Sequence, residues 1–590
     1  MSASSLGAEP TKRRRRRVYA CDSCYKKKIK CDGTLPRCDW CHHHDIECTY
    51  VRKADPPRSS SYRQPKRKQK SPPTSDASTP IEQGNASFRS PSQQSYPTPG
   101  PQAVAPHGFG GRMHFAGQAL GSIAGFNGLP VFSPAGLEWI KSRTGQGVSL
   151  DWYQTVPIQT NHIPGDTYLL QTLPDIHVLR QLLEKYKASI SYRLFPAINL
   201  KCFEYTIRAA YEQELSDISP SVLSAKACVF AFMAFSSFIA CWSQSEAIAY
   251  TDKYAREVSK IMPVLIQESV TLDGLQAMLM LCFCCQAVSA DILKIELLLS
   301  TAARYIFHLG GNIYYPNTTN TNDDPLNAKL HVRTLFWVGF ILDKTLGLRT
   351  GLQPLLDVMS CDLTLPDFDP QRDSPAFHTL IRLCLVQSDI YRELYCVPAF
   401  KKSDAELLAT IRTLDTQLEE WRSTVPDFSN DPSSDSAMAD FLFDMQYHYC
   451  MCAIHQTSSR CTAWVSNQDT RAAGSSLAVS TTAARTVLHK FLAARPHLLG
   501  HHLMFCLPEL TVSTIHIFNN ILMNPLGPNS AQDLALLGKA LAHFRKHIWQ
   551  QAPASFTAQV RLSEKFMADL QRLAECAIRK AEMEMGGRIA

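Results

Sequence analysis

Six cysteines within a single stretch of 28 residues constrain the fold of this chain more than any other feature. They are Cys21, Cys24, Cys31, Cys38, Cys41 and Cys48, separated by two, six, six, two and six residues. The pattern Cys-Asp-x-Cys-x6-Cys therefore occurs twice, with the second copy 17 residues after the first. Such a repeat predicts two equivalent halves arranged around a shared centre.

Metal ligation explains this spacing. Two zinc ions that each take four tetrahedral ligands need eight coordination positions, and six thiolates fill them only if two sulfurs bridge the metals. Cys21 and Cys38 open the two repeats and are the natural bridging ligands. Each CxxC is expected to open a short helix whose N-terminal amides face the thiolates. The sequence thus predicts two Zn²⁺ per chain.

Other interpretations of the cluster use the cysteines less completely. A single zinc held by the two CxxC pairs would leave Cys31 and Cys48 without a role, although both occupy the same position in their repeats. A disulfide cluster requires an oxidising compartment, whereas 20 cysteines without a visible secretory signal favour a reducing, intracellular one. The cysteines already fill the coordination, so His42, His43 and His44 are interpreted as exposed loop residues.

Charge is distributed unevenly along the 590 residues. Residues 1–70 contain 19 Lys and Arg against 7 Asp and Glu, a net charge of +12, whereas the whole chain carries +7. The remainder is therefore mildly acidic, at −5. One short basic region on an acidic body is typical of a polyanion-binding module attached to a separate domain.

The two repeats also differ in charge. The first carries YKKKIK between its second and third cysteines, and the second carries HHHDIE at the same place. Only the first half is suited to phosphates and to the guanine acceptors of the DNA major groove. The basic tract upstream, Lys12, Arg13, Arg14, Arg15, Arg16 and Arg17, and the segment PKRKQK (65–70) are typical of nuclear import signals and add non-specific attraction to DNA.

The stretch CDSCYKKKIKCDGTLPRCDWCHHHDIECTY resembles the zinc binuclear cluster (Zn2Cys6) domain of fungal transcription factors, over residues 18–50. The resemblance implies that the first helix enters the major groove over a CGG-type triplet. It assigns the main base contact to Lys28, with Lys27 beside it, and phosphate contacts to Lys26 and Lys30. Tyr25 stands where the family has an arginine, and Arg37 and the basic tract are expected to replace that phosphate contact.

The rest of the chain divides into a linker and a helical body. Residues 51–127 are rich in Pro, Ser, Gln and Gly and are predicted to be a disordered linker without the apolar heptads of a coiled coil. Ser133 before Pro134 predicts a helix start, and Leu179, Leu182, Leu183 and Tyr186 fall on one helical face. Similar patterns to residue 584 predict a large all-α domain over 128–590.

The body carries a second resemblance to the same family. The segments 271–283, 301–312 and 331–356 are similar to its regulatory middle homology domain, with Arg333, Phe336-Trp337 and Asp343-Lys344 at motif positions. The family's Gly-Arg-Pro is Gly351-Leu352-Gln353-Pro354 here. The resemblance implies a helical inhibitory or effector-sensing domain in which these residues pack and form buried pairs.

Together these features predict a nuclear, sequence-specific transcription regulator of RNA polymerase II genes, with activation expected from the family. Its expected partners are double-stranded DNA, the transcription machinery or co-regulators, and a small-molecule effector. No association with a membrane is expected. Because heptads are absent, the chain is expected to bind DNA as a monomer or to pair through its body. A nuclear scaffold without sequence preference and an enzyme anchored by the finger remain the alternatives. The sequence contains no P-loop, nucleophile elbow, dinucleotide fingerprint or HExxH motif.

Overall fold

The structure of this chain is a computed structural model that forms two compact units, Met1–Thr98 and Pro99–Ala590. The described residues are 20–27, 29, 31–51, 112–115, 118–126, 129–147, 172–212, 220–240, 245–267, 269–288, 292–314, 324–366, 375–427, 434–461, 471–494, 503–549 and 557–589. Lys12, Arg13 to Arg17, Lys28, Lys30 and most of the predicted linker lie outside these ranges.

The described part of the first unit contains two short helices, α1 (Asp22–Lys26) and α2 (Asp39–His43). Each begins directly after the first cysteine of a repeat, as the sequence predicts. Cys21 and Cys38 are the N-cap residues, and their sulfurs accept hydrogen bonds from the backbone amides of Cys24 and Cys41. The segment between the helices turns through a cis Leu35-Pro36 peptide bond.

The second unit begins with a three-stranded antiparallel sheet that the sequence did not lead us to expect. Its strands are β1 (Arg112–Phe115), β2 (Gln118–Phe126) and β3 (Leu129–Phe132), in the order β1-β2-β3. The first two strands fall within the stretch predicted as linker. Strand β2, QALGSIAGF, is rich in small residues and lacks the alternating large apolar side chains by which a strand is recognised.

The described remainder of the second unit is helical. The helices are α3 (Pro134–Thr144), α4 (Ile176–Ala188), α5 (Ile190–Leu194), α6 (Leu200–Tyr211), α7 (Pro220–Ala240), α8 (Ser245–Gln267), α9 (Leu272–Val288), α10 (Ile292–His308), α11 (Asp324–Thr350), α12 (Pro375–Ile390), α13 (Asp404–Ser423), α14 (Ser434–His455), α15 (Arg471–Ala493), α16 (Leu503–Met523), α17 (Ser530–Phe544) and α18 (Thr557–Ile589). Short π-helical turns follow α12 and α17, and 3-10 turns lie at 358–360, 397–401 and 456–460. The predicted helical body is confirmed, with the exception that strand β3 lies within the range 128–590 that was predicted as all-α.

Local signals account for many of these boundaries. Ser133 caps α3 by accepting a hydrogen bond from the Gly136 amide at 3.0 Å, and Pro134 occupies the first turn, as predicted. Helix α13 begins with a capping box formed by Ser403 and Glu406. The sequence patterns missed α6 and α8, and α8 contains Pro263, a residue that usually interrupts a helix.

Two helices of the body, α7 and α9, are buried on nearly all sides. Phe230, Phe232, Phe235 and Phe238 of α7 are fully buried, as are the thiols of Cys282, Cys284 and Cys285 in α9. These two segments contain the longest apolar runs of the sequence. Within the described residues, no helix combines the length and the hydropathy that a membrane crossing requires. The cysteines of α9 therefore serve as small apolar packing residues.

The motif residues of the middle homology resemblance lie on α11 and are buried. The Arg333 guanidinium donates to three backbone carbonyls, those of Gly311 at 3.1 Å, Asp362 at 2.6 Å and Thr364 at 2.8 Å. Its carbon lies 4.5 Å and 5.1 Å from the ring centroids of Phe336 and Trp337. These residues hold α11 against the loops at 309–314 and 361–366, which is a packing role.

Candidate metal centre and nucleic-acid interface

The structure brings all six cysteines of the repeats together. Two sets of four sulfurs lie mutually within 4.8 Å, and both sets contain Cys21 and Cys38. Cys24 and Cys31 complete the first set, and Cys41 and Cys48 complete the second. The two sulfurs expected to bridge are thus the two that the sets share.

The spacing of the sulfurs fits zinc. A Zn–S bond of about 2.3 Å in a tetrahedral site places two ligand sulfurs about 3.8 Å apart. The Cys21–Cys38 separation is 3.7 Å, and the Cys21–Cys41 and Cys24–Cys38 separations are both 3.6 Å. These distances exceed a disulfide bond of about 2.05 Å, and every described cysteine is a free thiol. The donor set therefore fits two four-coordinate zinc ions.

Hydrogen bonds between the halves reproduce the repeat. The amide of Asp22, first in α1, donates to the carbonyl of Thr49 at 2.8 Å. The amide of Asp39, first in α2, donates to the carboxylate of Asp32 at 2.9 Å. Thr49 and Asp32 each follow the third cysteine of the opposite repeat, so each helix start is held by the other half. This reciprocal bonding gives the unit its pseudo-two-fold arrangement.

Two aspartates complete this scaffold with their side chains. The Asp22 carboxylate accepts from the Thr49 hydroxyl at 2.9 Å and from the Val51 amide at 2.8 Å. Asp32 accepts from the hydroxyl of Thr34, and this bond together with the Asp39 amide lowers the pKa of Asp32. Both carboxylates therefore order the backbone between and after the repeats.

The thiols themselves differ in acidity. Burial alone would raise the pKa of Cys21, but the Cys24 amide and the neighbouring thiols lower it to about 6. Burial raises the pKa of Cys24 to about 12. Zinc binds thiolates, so the protons that the more basic thiols still hold are released when the metal binds.

Of the predicted DNA-contacting residues, the structure describes Lys26, Lys27 and Arg37. Lys26 lies exposed in the last turn of α1. The Lys27 ammonium lies 4.7 Å from the ring centroid of Trp40 on α2, a cation–π contact between the two halves. Tyr25, which stands where the family has an arginine, lies on α1 and is 61% exposed.

The second half contributes few free charges. Arg37 donates to the Asp45 carboxylate at 3.1 Å, and both side chains are exposed. His42, His43 and His44 are exposed, as predicted, but His42 and His43 form the last turn of α2 and His44 is its C-cap, so the expected loop is wrong. The His44 ring lies 4.6 Å from that of Trp40. Arg37 is therefore engaged within its own half, in an ion pair of the exposed type that contributes little stability.

The sequence analysis assigned no role to three residues of this site, Trp40, Asp22 and Asp32. Trp40 is half-buried, packs on the cysteine core and contacts Lys27 across the turn between the repeats. The sequence does carry a signal for the aspartates, because an Asp follows Cys21, Cys31 and Cys38. No local pattern indicates the contact of Trp40 with Lys27, since it depends on how the halves are brought together.

Two known domains match this chain. Residues 19–57 match the fungal Zn(2)-Cys(6) binuclear cluster domain, and residues 188–423 match the fungal specific transcription factor domain. The first match contains the six-cysteine site, and the second contains α11 with its buried motif residues.

Curated relatives agree with these matches. Two proteins named ABC-transporter-regulating transcription factor, from Aspergillus oryzae and Aspergillus fumigatus, are each 22% identical over 97% of this chain and 74% of their own length. The nitrogen assimilation transcription factor of Neurospora crassa is 43% identical over 63 residues, 10% of this chain and 6% of its own. The domains and relatives identify a regulator rather than an enzyme.

Proposed function

Because the chain is a fungal Zn(2)-Cys(6) transcription factor, we propose that its cluster reads a CGG-type triplet in the major groove of DNA. The observation that carries this proposal is the contrast between two halves that share one scaffold. The first half presents Lys26 and Lys27 beside α1, whereas Arg37 of the second half is engaged by Asp45. Sequence recognition is therefore assigned to the first half.

The metal ligands are proposed to be the six cysteines, with Cys21 and Cys38 shared by both zinc ions. Sharing is supported by the two overlapping sets of sulfurs. Bound zinc would supply structural cross-linking, because a unit as small as residues 18–50 has too small an apolar core to fold alone. The protein's own groups then position the lysines. The amides of Cys24 and Cys41 donate to the sulfurs of the N-cap residues Cys21 and Cys38. The bonds that Asp22 and Asp32 make across the repeats hold the two halves together.

Base reading is assigned to Lys28 and Lys27, and phosphate contact to Lys26 and Lys30. Lysine ammonium groups donate to guanine O6 and N7, which the major groove presents at a CGG-type triplet. The tract Lys12 to Arg17 is assigned nuclear import and non-specific attraction to phosphate. Arg37 contributes to phosphate binding only when it leaves Asp45.

The regulatory domain is proposed to extend over 128–590, well beyond the matched residues 188–423. A buried ion pair joins the matched part to the C-terminal helices, with Arg349 Nη2 2.8 Å from Glu509 Oε1. The residues before the matched part are joined to the last helix as well, because Lys580 of α18 donates to the backbone carbonyl of Ser142 at 2.5 Å. Phe132 stacks with Phe566 at a centroid distance of 6.4 Å. Of the predicted linker 51–127, the residues before Arg112 remain assigned as the linker, because β1 and β2 belong to the sheet that β3 completes.

The chain is proposed to act in the nucleus as an activator that recruits the transcription machinery. Its body is the proposed sensor of an effector. The family resemblance alone implies genes of one metabolic or secondary-metabolite cluster as targets. The names of the two relatives that align with 97% of the chain favour genes for ABC transporters instead. Chromatin occupancy of the tagged protein at these two gene classes decides between them.

Affinity measurements on matched duplexes test the proposal. Fluorescence anisotropy of the full-length, zinc-loaded protein is recorded on a duplex with one CGG triplet and on a duplex with that triplet scrambled. We expect tighter binding to the duplex with the CGG triplet than to the scrambled duplex. Chelation of zinc should abolish binding to both duplexes. Equal affinity for the two duplexes, with binding that vanishes in moderate salt, would establish a nuclear scaffold without sequence preference.

A further inference from the structure

Glu296 on α10 differs from the buried carboxylates of the body. Each of those carboxylates has a cationic partner: Asp343 has Lys344 at 3.0 Å, Glu509 has Arg349 at 2.8 Å, Asp533 has Arg485 at 2.6 Å, Glu257 has Lys260 at 2.7 Å, and Asp444 has Arg422 and Lys490. Asp273, which is partly buried, accepts from the Thr206 hydroxyl at 2.6 Å and the Gln276 side-chain amide at 3.1 Å instead. Glu296 is half-buried, and burial raises its pKa. Within the described residues, no cation or hydrogen-bond donor pairs with its carboxylate.

This carboxylate borders a cavity of about 230 Å³ between α10, the end of α11 and the loop 351–355. The lining also includes the apolar residues Leu299, Leu346, Leu352, Pro354 and Leu355 and the polar residues Ser300, Asp343, Thr350 and Gln353. Of these, Asp343 is already paired with Lys344 and bonded to the backbone of the loop. The volume is slightly below the range of about 300–1,000 Å³ that is usual for ligand sites. A compact ligand therefore fits, and a drug-sized one does not.

The loop wall of the cavity is held in place by α11. Asp343 accepts from the amides of Leu355 at 2.7 Å and Leu356 at 3.0 Å, and Lys344 donates to the Leu356 carbonyl at 2.5 Å. A side chain at Gly347 would come within 2.8 Å of Pro354 Cγ, so glycine lets the loop lie against the helix. Because the wall is preformed, a ligand has little ordering entropy to overcome.

Two leucines of the cavity lining are exposed to solvent. They are Leu352 and Leu355 on the loop, at 38% and 41% exposure. Together with the half-buried carboxylate of Glu296, they give the cavity an apolar loop wall that faces an acidic group on α10.

We propose that this cavity binds a small lipophilic cation, a protonated amine on a hydrocarbon body. The ammonium pairs with Glu296, and the hydrocarbon covers Leu299, Leu352 and Leu355. A half-buried carboxylate without a partner disfavours an anion and leaves a neutral ligand unable to neutralise it. The site is independent of the DNA contacts, so its test does not involve DNA.

The probe is 2-phenylethylamine, and its matched neutral and anionic analogues are 2-phenylethanol and 3-phenylpropanoate. Binding to full-length, zinc-loaded protein is measured at pH 7.5 by ligand-observed NMR. For a ligand of this size a dissociation constant on the order of 0.1–1 mM is expected. We expect the amine to bind at least about tenfold more tightly than the alcohol, and no detectable binding of the propanoate.

Two variants assign the binding to this cavity. Glu296→Gln removes the charge without changing the shape and should weaken amine binding roughly tenfold or more. Leu352→Lys places a tethered ammonium at the cavity mouth and should compete with the probe. Glu420→Gln, an exposed glutamate on α13, is the matched control and should bind the amine like the natural chain. Thermal melting of each variant verifies that the body is folded.

Several results would overturn the proposal. Equal affinity for the amine and the alcohol would show that Glu296 is merely solvated by water. Amine binding that survives both Glu296→Gln and Leu352→Lys would place the amine elsewhere on the protein. If no amine binding is detected at amine concentrations up to about tenfold above the expected dissociation constants, the cavity does not bind such a cation.

Discussion

In the first half of the cysteine cluster, Lys26, Lys27 and Lys28 follow the CxxC pair, whereas His43, His44 and Asp45 occupy the equivalent positions of the second half. The two halves share helix starts, capping amides and reciprocal hydrogen bonds. Metal binding therefore constrains the cysteines and the residues that hold the backbone, and it leaves the residues between the second and third cysteines free. We propose that the first half uses that freedom to bind DNA and that the second half does not.

The body of the chain offers a useful contrast to this small unit. Its helices bury Phe and Leu side chains around paired charges such as Arg349 with Glu509, so its stability comes from apolar packing. The cluster buries little besides its cysteines. Substitutions of metal ligands should consequently abolish the fold of the cluster, whereas lysine substitutions there should change only recognition.

The largest effect is expected from the shared ligands. Cys21→Ser and Cys38→Ser should each unfold the cluster, because structural zinc sites contribute about 10–16 kcal/mol to folding and both metals lose a ligand. The measurement is zinc content per chain together with DNA affinity. Cys396→Ser in the body is the control and should retain two zinc ions. Two zinc ions per chain in Cys38→Ser would contradict the bridging assignment.

The next largest effect comes from comparing substitutions at one equivalent position of the two halves, Lys28 and Asp45. Lys28→Ala should cost about 1–3 kcal/mol on a CGG-containing duplex and much less on random DNA, because Lys28 is assigned a base contact. Asp45→Ala, at the matching position of the second half, should leave this discrimination unchanged and slightly strengthen overall binding by freeing Arg37. Anisotropy on both duplexes measures the two variants. An equal loss for Lys28→Ala on both duplexes would make it a phosphate contact.

A smaller effect tests the contact between the halves. Trp40→Leu should weaken specific binding by about 0.5–1 kcal/mol, since the Lys27 ammonium loses the aromatic face that positions it. A double-mutant cycle with Lys27→Met isolates this contribution, and Trp40→Phe should partly restore it. Additive losses in the cycle would show that Trp40 only packs on the cysteine core.

The smallest effect on sequence preference is expected from the basic tract. Replacing Arg13 to Arg17 with alanine should lower affinity for every duplex and flatten its dependence on salt, because these side chains are assigned to phosphate. The ratio of affinities for the CGG and scrambled duplexes should stay constant. A changed ratio would assign base contacts to the tract.

The sequence was most informative where the constraint is local. Ligand spacing within 28 residues predicted the metal centre, and the 3.6-residue period of Leu179, Leu182 and Leu183 predicted a buried helical face. Ser133 and Pro134 predicted a helix start because capping acts on the first turn alone. In each case the residues that decide the structure are neighbours in the chain.

The remainder depended on contacts between distant residues. Lys27 meets Trp40 only after the turn closes, and Glu296 meets the loop 351–355 only after α10 packs on α11. Helix α8 persists despite Pro263 because its buried face, including Val258 and Ile261, packs into the core. Tertiary packing overrides local propensity at such positions, so single-sequence patterns do not indicate them.

The most direct test of the account is selection of bound sequences from a random duplex pool, using full-length, zinc-loaded protein beside its Lys28→Ala and Asp45→Ala variants. The account predicts that the natural chain and Asp45→Ala enrich the same CGG-type triplet, and that Lys28→Ala loses this enrichment. Paired triplets at a fixed spacing would add that the protein binds as a dimer. The absence of any enriched sequence with the natural chain, or an unchanged enrichment with Lys28→Ala, would contradict the assignment of base reading to the first half of the cluster.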